Sequence, residues 1–75
     1  MQIDYDRQAD AIYIRFREGD VDDTQTVNKY VYLDVDGEGK PLGLEILFAS
    51  HILPEDGLTR FTFNIEPQSA EFIPA

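Results

Sequence analysis

Seventy-five residues bound this chain to a single domain, and fifteen acidic against six basic residues give it a formal net charge of −9 with no cysteine. The acid surplus argues against nucleic-acid binding and against attachment to anionic membranes, because both draw on Lys and Arg. The lack of cysteine removes disulfide stapling and fits a reducing compartment, and a chain this short buries only about 60% of the surface its unfolded form exposes.

The N-terminal stretch MQIDYDRQAD carries charge from residue 4 onward and lacks the apolar core of a signal peptide. No apolar run approaches the roughly 20 residues that span a bilayer, so a soluble cytoplasmic protein is the expectation. Gln2 to Tyr5 reads as a first strand, with Ile3 and Tyr5 on one face. Asp6 to Asp10 then interrupts the pattern, and Asp6 and Asp10 suit Asx-type turns. From Ala11 the alternation resumes. Ile12, Ile14 and Phe16 share one face and Ala11, Tyr13, Arg15 and Arg17 the other, so the two segments pair as a hairpin. Glu18 to Asp23 is a polar loop around Gly19-Asp20, and Thr24 to Val27 is a short strand.

Asn28-Lys29 turns the chain into its most strongly patterned stretch, Tyr30 to Phe48. On the first arm Val31, Leu33 and Val35 oppose Tyr30, Tyr32 and Asp34. On the second, Leu42, Leu44, Ile46 and Phe48 oppose Gly43 and Glu45. Two period-2 runs about the turn Asp36-Gly37-Glu38-Gly39-Lys40, closed by Pro41, make a β-hairpin with one buried face. One short helix is predicted near residues 47–53, stopped by Pro54. Leu58 to Ile65 alternates again through Phe61, Phe63 and Ile65 and offers an additional strand. The expected fold is mostly β: an antiparallel β-meander of four to six short strands with one short helix. It forms a compact domain over residues 1–65, followed by a mobile tail over 66–75 on which Phe72 and Ile73 offer docking points. Ile12, Ile14, Leu33, Val35, Leu44 and Ile46 are the predicted core.

Tyr5-Asp6, Ala9-Asp10-Ala11-Ile12-Tyr13-Ile14, Leu33-Asp34-Val35-Asp36 and Gly43-Leu44-Glu45-Ile46-Leu47, followed by Ala49-Ser50, occur in that order along the chain. Together they resemble a small prokaryotic family of unknown function, domain of unknown function 2283. Similar members often place Pro where this chain has Arg7. The resemblance spans residues 1 to 53, implies a compact β-rich domain, and carries over no catalytic residue.

Asp34, Asp36, Glu38, Gly39 and Glu45 occupy positions 1, 3, 5, 6 and 12 of the calcium-loop pattern D-x-D-x-[DN]-G-x5-E, and calcium takes oxygen donors at that spacing. Glu at the fifth position, Pro41 at the eighth and strands on both flanks depart from it, so the stretch reads as an acidic, solvated turn. Asp4, Asp6 and Asp10 could form a carboxylate cluster, although a hairpin loop explains them more simply. His51 is the single histidine, too few for a His-rich zinc site. No Gly-rich phosphate loop or nucleophile elbow is present, and no cofactor is expected.

Tyr13, Tyr30 and Tyr32, opposite the aliphatic stripe, are candidates for an interaction surface together with Phe48, Phe61 and Phe63. The competing arrangement is that the C-terminal segment folds its Phe61 and Phe63 over the tyrosines. The expected function is that of a protein-interaction module, one version being an antitoxin-like protein that covers a basic partner protein. A homodimer is equally expected, because one sheet with so little helix leaves an apolar face to cover. A small-ligand or metal-binding domain is the alternative, and an enzyme ranks last.

Overall fold

The computed structural model describes residues 1–54 and 58–67. Five strands follow the alternating stretches: β1 Gln2–Asp6, β2 Ala11–Arg15, β3 Asp23–Thr26, β4 Val31–Val35 and β5 Pro41–Leu47. A single helical turn, α1 Ala49–Ile52, follows β5 directly. All neighbouring strands are antiparallel, so the mostly-β expectation holds. The order across the sheet is β1-β2-β5-β4-β3. It is sequential within each hairpin unit but not between them: β2 pairs with β5, and residues 16–22 cross the ends of β5 and β4 to start β3 at the far edge.

Side-chain chemistry explains that order. β3 reads Asp-Thr-Gln-Thr, is exposed along its whole length, and has nothing to bury, so it belongs at an edge. β5 carries Leu42, Leu44, Ile46 and Leu47 and takes the central place. The crossing segment is held at both ends. Phe16 N–H donates to the Leu42 carbonyl at 2.8 Å, and Asp22 N–H to the Val35 carbonyl at 2.9 Å. Arg17 also ion-pairs with Asp36 on the β4–β5 turn.

Cross-strand pairing sorts the residues into rows. On one face Tyr5, Ile12, Ile46 and Val31 form one row, and Ile3, Ile14, Leu44, Leu33 and Gln25 form the next. On the other face the rows are Asp4, Tyr13, Glu45, Tyr32 and Thr26, then Gln2, Arg15, Gly43, Asp34 and Thr24. The first is an apolar face and the second a polar one. At the tip of the β4–β5 hairpin the register shifts, because Asp34 pairs with Gly43 but Val35 with Pro41. Leu42 is the extra residue of this bulge and lies 3% exposed.

The buried apolar residues are Ala11, Ile12, Val35, Leu42 and Ala49. Of the predicted core, Ile12 and Val35 are in that set, whereas Ile14, Leu33, Leu44 and Ile46 are half-buried. A single sheet covers only one side of each side chain, so a central stripe residue stays partly open until a second layer packs on it. Two further positions differ from the sequence reading. Phe48 leaves the β5 stripe, because the strand ends at Leu47 and Phe48 turns with φ 54°. Residues 60–67 form no strand, although Phe61, Phe63 and Ile65 alternate as read. Apart from residues 66 and 67, the expected C-terminal tail with Phe72 and Ile73 lies outside the described residues.

Candidate functional site

On the polar face Tyr13 sits half-buried, and its hydroxyl donates to Asp34 Oδ2 at 2.7 Å. Thr24 donates to the other oxygen, Oδ1, at 2.6 Å. The network thus ties β2, β4 and β3 together across β5. It passes over Gly43, where an added Cβ would stand 2.1 Å from the Tyr13 hydroxyl oxygen. Gly43 is required here for space, since its φ is not positive, and the ring of Tyr13 occupies that space. The Asp34 carboxylate raises the Tyr13 pKa above 10.0 by holding the phenolic proton, with partial burial adding to the effect.

The residues of the calcium-loop pattern are engaged separately. Asp34 is committed to Tyr13 and Thr24. Asp36 Oδ1 accepts from the N–H groups of Glu38 and Lys40, each at 2.9 Å, and its other oxygen meets Arg17. Those contacts, Arg17 first, hold the Asp36 carboxyl below its ordinary range. Glu38 pairs with Lys40 at 3.3 Å, and Glu45 lies in the tyrosine row. Gly39 supplies the positive φ of +82° that the turn needs. Among the described residues no three His, Cys, Asp or Glu side chains gather as a metal site.

Asp4, Asp6 and Asp10 also part company. Asp4 accepts from Gln2 on the polar face, and Asp6 Oδ1 accepts from the N–H groups of Gln8 and Ala9. Asp10 adopts φ 51° and reaches 40 residues along the chain to α1. Its carbonyl accepts from Ala49 N–H at 2.9 Å, its Oδ1 from Ser50 N–H at 3.0 Å, and its Oδ2 from Ser50 Oγ at 2.7 Å. Tyr5 donates to Oδ1 at 2.8 Å. Asp10 therefore caps a helix whose own preceding residue, Phe48, makes no side-chain cap. Ser50, then Tyr5, lower its pKa from 3.8 to about 2.

His51 Nδ1 lies 3.3 Å from Asp10 Oδ2 and 3.3 Å from Ser50 Oγ. Ser, His and Asp thus meet, but both partners address the same ring nitrogen and Ser50 donates to the carboxylate. A nucleophilic triad places serine and carboxylate on opposite ring nitrogens. This cluster is a cap. In the sequence Asp10 and His51 stand apart, and no local signal joins Asp10 to Ser50, 40 positions away.

Tyr32 remains half-buried in the polar row, while Tyr30 sits at the sheet end. There Tyr30 and Phe48 meet edge to face, with ring centroids 6.1 Å apart, and Lys29 Nζ lies 5.0 Å from the Tyr30 ring centre. Lys29, Tyr30, Phe48, His51 and Ile52 line a cavity of about 570 Å³. Phe61 and Phe63 do not cover the tyrosines. Leu58 to Phe61 instead run beside Ile3, Tyr5 and Ile12 on the apolar side, leaving a gap of about 350 Å³ beneath them.

These features define a class: an open antiparallel sheet with one apolar face, one hydrogen-bonded polar face and a helical turn capped from the opposite hairpin. Residues 2–50 match the family described as Protein of unknown function (DUF2283), and the chain belongs to that family. The match takes in all five strands and ends at Ser50, the cap partner of Asp10. Comparison with curated proteins and with solved structures gave no significant match. Among the described residues no helix is long and apolar enough to cross a membrane.

Proposed function

We propose that the chain is a protein-interaction module that associates with a second copy of itself through the apolar sheet face. The observation that carries this reading is the partition of charge. The two apolar rows hold no charged side chain, whereas Asp4, Arg15, Asp34 and Glu45 all stand in the opposite rows. A net charge of −9 opposes self-association in general, but packing through these two rows keeps Asp4, Arg15, Asp34 and Glu45 on the outside, while Asp23, which shares the face of Gln25, stands at its outer β3 edge. Face-to-face sheets about 10 Å apart would give the half-buried Ile14, Leu33, Leu44 and Ile46 the second layer they lack. The acidic face stays outward, available to a basic partner protein, which is the antitoxin-like form of the same reading. Binding rather than catalysis is the activity proposed.

Sedimentation equilibrium at micromolar concentration and moderate salt tests it. The expected species is a dimer that persists as salt is raised, and Ile3→Glu at the margin of the face should give a folded monomer. A parent protein that is strictly monomeric with a cooperative melt overturns the reading.

A second reading, small-ligand binding, is supported by the sheet-end cavity. Its walls are Tyr30, Phe48 and Ile52, and Lys29 makes no ion pair among the described residues, so the fitting ligand has an apolar body and one carboxylate. Titration with phenylpropionate, followed by NMR shifts of Tyr30 and Phe48, tests this; no shift at millimolar ligand rules it out.

A further inference from the structure

We infer that the dimer is completed by exchange: the segment Leu58–Ile65 of each copy lies on the β1 side of the other copy's apolar face. The inference rests on the self-association reading and names the part of the second copy that does the covering.

Area motivates it first. Five strands at about 4.8 Å spacing and five residues at about 3.4 Å outline a face of about 400 Å². A stable interface removes roughly 800 Å² from each partner. The flat face therefore needs supplementing, and two phenylalanines at about 150–250 Å² each supply that order of area.

The segment itself has the matching chemistry. Phe61, Phe63 and Ile65 alternate along it and are 67%, 65% and 54% exposed. The main chain of residues 61–65 makes no hydrogen bond to any described residue, so a strand-patterned stretch has no sheet of its own. Its one charge is Arg60, in a chain that is otherwise strongly acidic, so it carries no like charge toward a second copy.

Its present position shows why its own sheet is not the final partner. Leu58 to Phe61 pass beside Ile3, Tyr5 and Ile12 without filling the gap of about 350 Å³ below them, and Ile3 stays 42% exposed. β1 is an edge strand, open to addition of a further strand. A second copy's Phe61 and Phe63 laid along the Ile3 and Tyr5 stripe would extend both apolar rows by one strand.

The absence of cysteine makes the test direct, since any disulfide comes from introduced residues. Chains carrying Ile3→Cys are mixed with isotope-labelled chains carrying Phe63→Cys, unfolded and refolded together, and oxidised. The expected product is a disulfide between the two kinds of chain, with a dimer by sedimentation. A chain carrying both substitutions should likewise give a doubly linked dimer. A dimer whose disulfide forms within one chain overturns the exchange and leaves the dimer reading intact, as does a dimer that forms neither disulfide. A monomer under all conditions overturns both. Independently, Phe61→Ser with Phe63→Ser should raise the dimer dissociation constant at least tenfold with an unchanged circular dichroism spectrum; an unchanged constant also overturns the exchange.

Discussion

The hydroxyl of Tyr13 on β2 donates to the carboxylate of Asp34 on β4 at 2.7 Å, two strands away, across the bare Cα of Gly43. A partly buried hydrogen bond to a charged acceptor contributes about 1–2 kcal/mol net. Tyr13→Phe should therefore destabilise by about that amount, since Thr24 alone then holds Asp34. The sign with pH follows from the raised Tyr13 pKa. The neutral phenol is the form the fold favours, so its contribution is complete below pH 10.0 and is lost as pH rises through the folded value. Chemical unfolding at pH 8 and at pH 11 checks both parts: the parent should lose more stability than the variant on going to pH 11.

Gly43→Ala tests the space beneath the ring. The new Cβ would fall 2.1–2.8 Å from three atoms of Tyr13, and Tyr13 is pinned at its far end by Asp34. Relief by a small shift is blocked, so the variant should lose about 1–3 kcal/mol. In a Tyr13→Ala background the same substitution should cost close to nothing. Thermal melts of the four proteins of this cycle give the coupling directly, and additive losses would place the clash elsewhere.

Asp10→Asn tests the helix cap. The Asp10 pKa is lowered to about 2 from 3.8, so the ionised form is the one the fold favours. Its contribution is complete above about pH 4 and is lost as pH falls toward about 2. The variant should melt lower than the parent at pH 7, and the gap should close between pH 4 and pH 2. A gap that stays constant across that range would assign the loss to something other than the carboxylate charge.

These cases show where sequence legibility ends. Period-2 alternation exposed the strands, because a pleated chain sends alternate side chains to opposite faces; the rows Tyr5–Ile12–Ile46 and Ile3–Ile14–Leu44 follow directly. Alternation is silent on which strands become neighbours, so the β2–β5 pairing came only from the structure. It is equally silent on a bulge, which is why Leu42 is buried apart from its stripe. The contacts of Asp10 with Ser50 and of Tyr13 with Asp34 join residues 40 and 21 positions apart. Such contacts leave no periodic trace. Residues 58–65 illustrate the opposite limit, because a correct pattern still needs a partner strand before it becomes sheet.

Core truncations report on the second layer. Ile12 is 7% exposed within one chain, so Ile12→Ala should cost about 2–4 kcal/mol at any concentration. Leu33 and Leu44 are half-buried within one chain, and their truncation should cost about 1–2 kcal/mol in dilute, monomeric protein. Once a second copy covers the face their cost should rise toward that of Ile12. Melting temperatures measured from nanomolar to high micromolar protein separate the two regimes. A cost for Leu44→Ala that is independent of concentration would count against a covered face.

Phe48 gives the sharpest separation of backbone from side chain. It holds φ 54° and ψ 40°, a left-handed conformation that costs a bulky residue about 1–2 kcal/mol and glycine almost none. Against this stands its edge contact with Tyr30, about 0.5–1.5 kcal/mol for a well-placed aromatic pair, reduced here because Phe48 is 54% exposed. The two effects nearly cancel, so Phe48→Gly should leave stability within about 1 kcal/mol of the parent. Phe48→Val keeps the strained backbone, adds a β-branch and loses the ring, and should cost about 2 kcal/mol. Denaturant melts of the two variants read this order directly; since both lack the ring, a Gly variant less stable than the Val variant would show that relief of the left-handed backbone does not decide the outcome. The same pair bears on the sheet-end cavity. If Phe48→Gly folds as well as the parent but no longer shifts with phenylpropionate, the strained phenylalanine serves the cavity and not the fold.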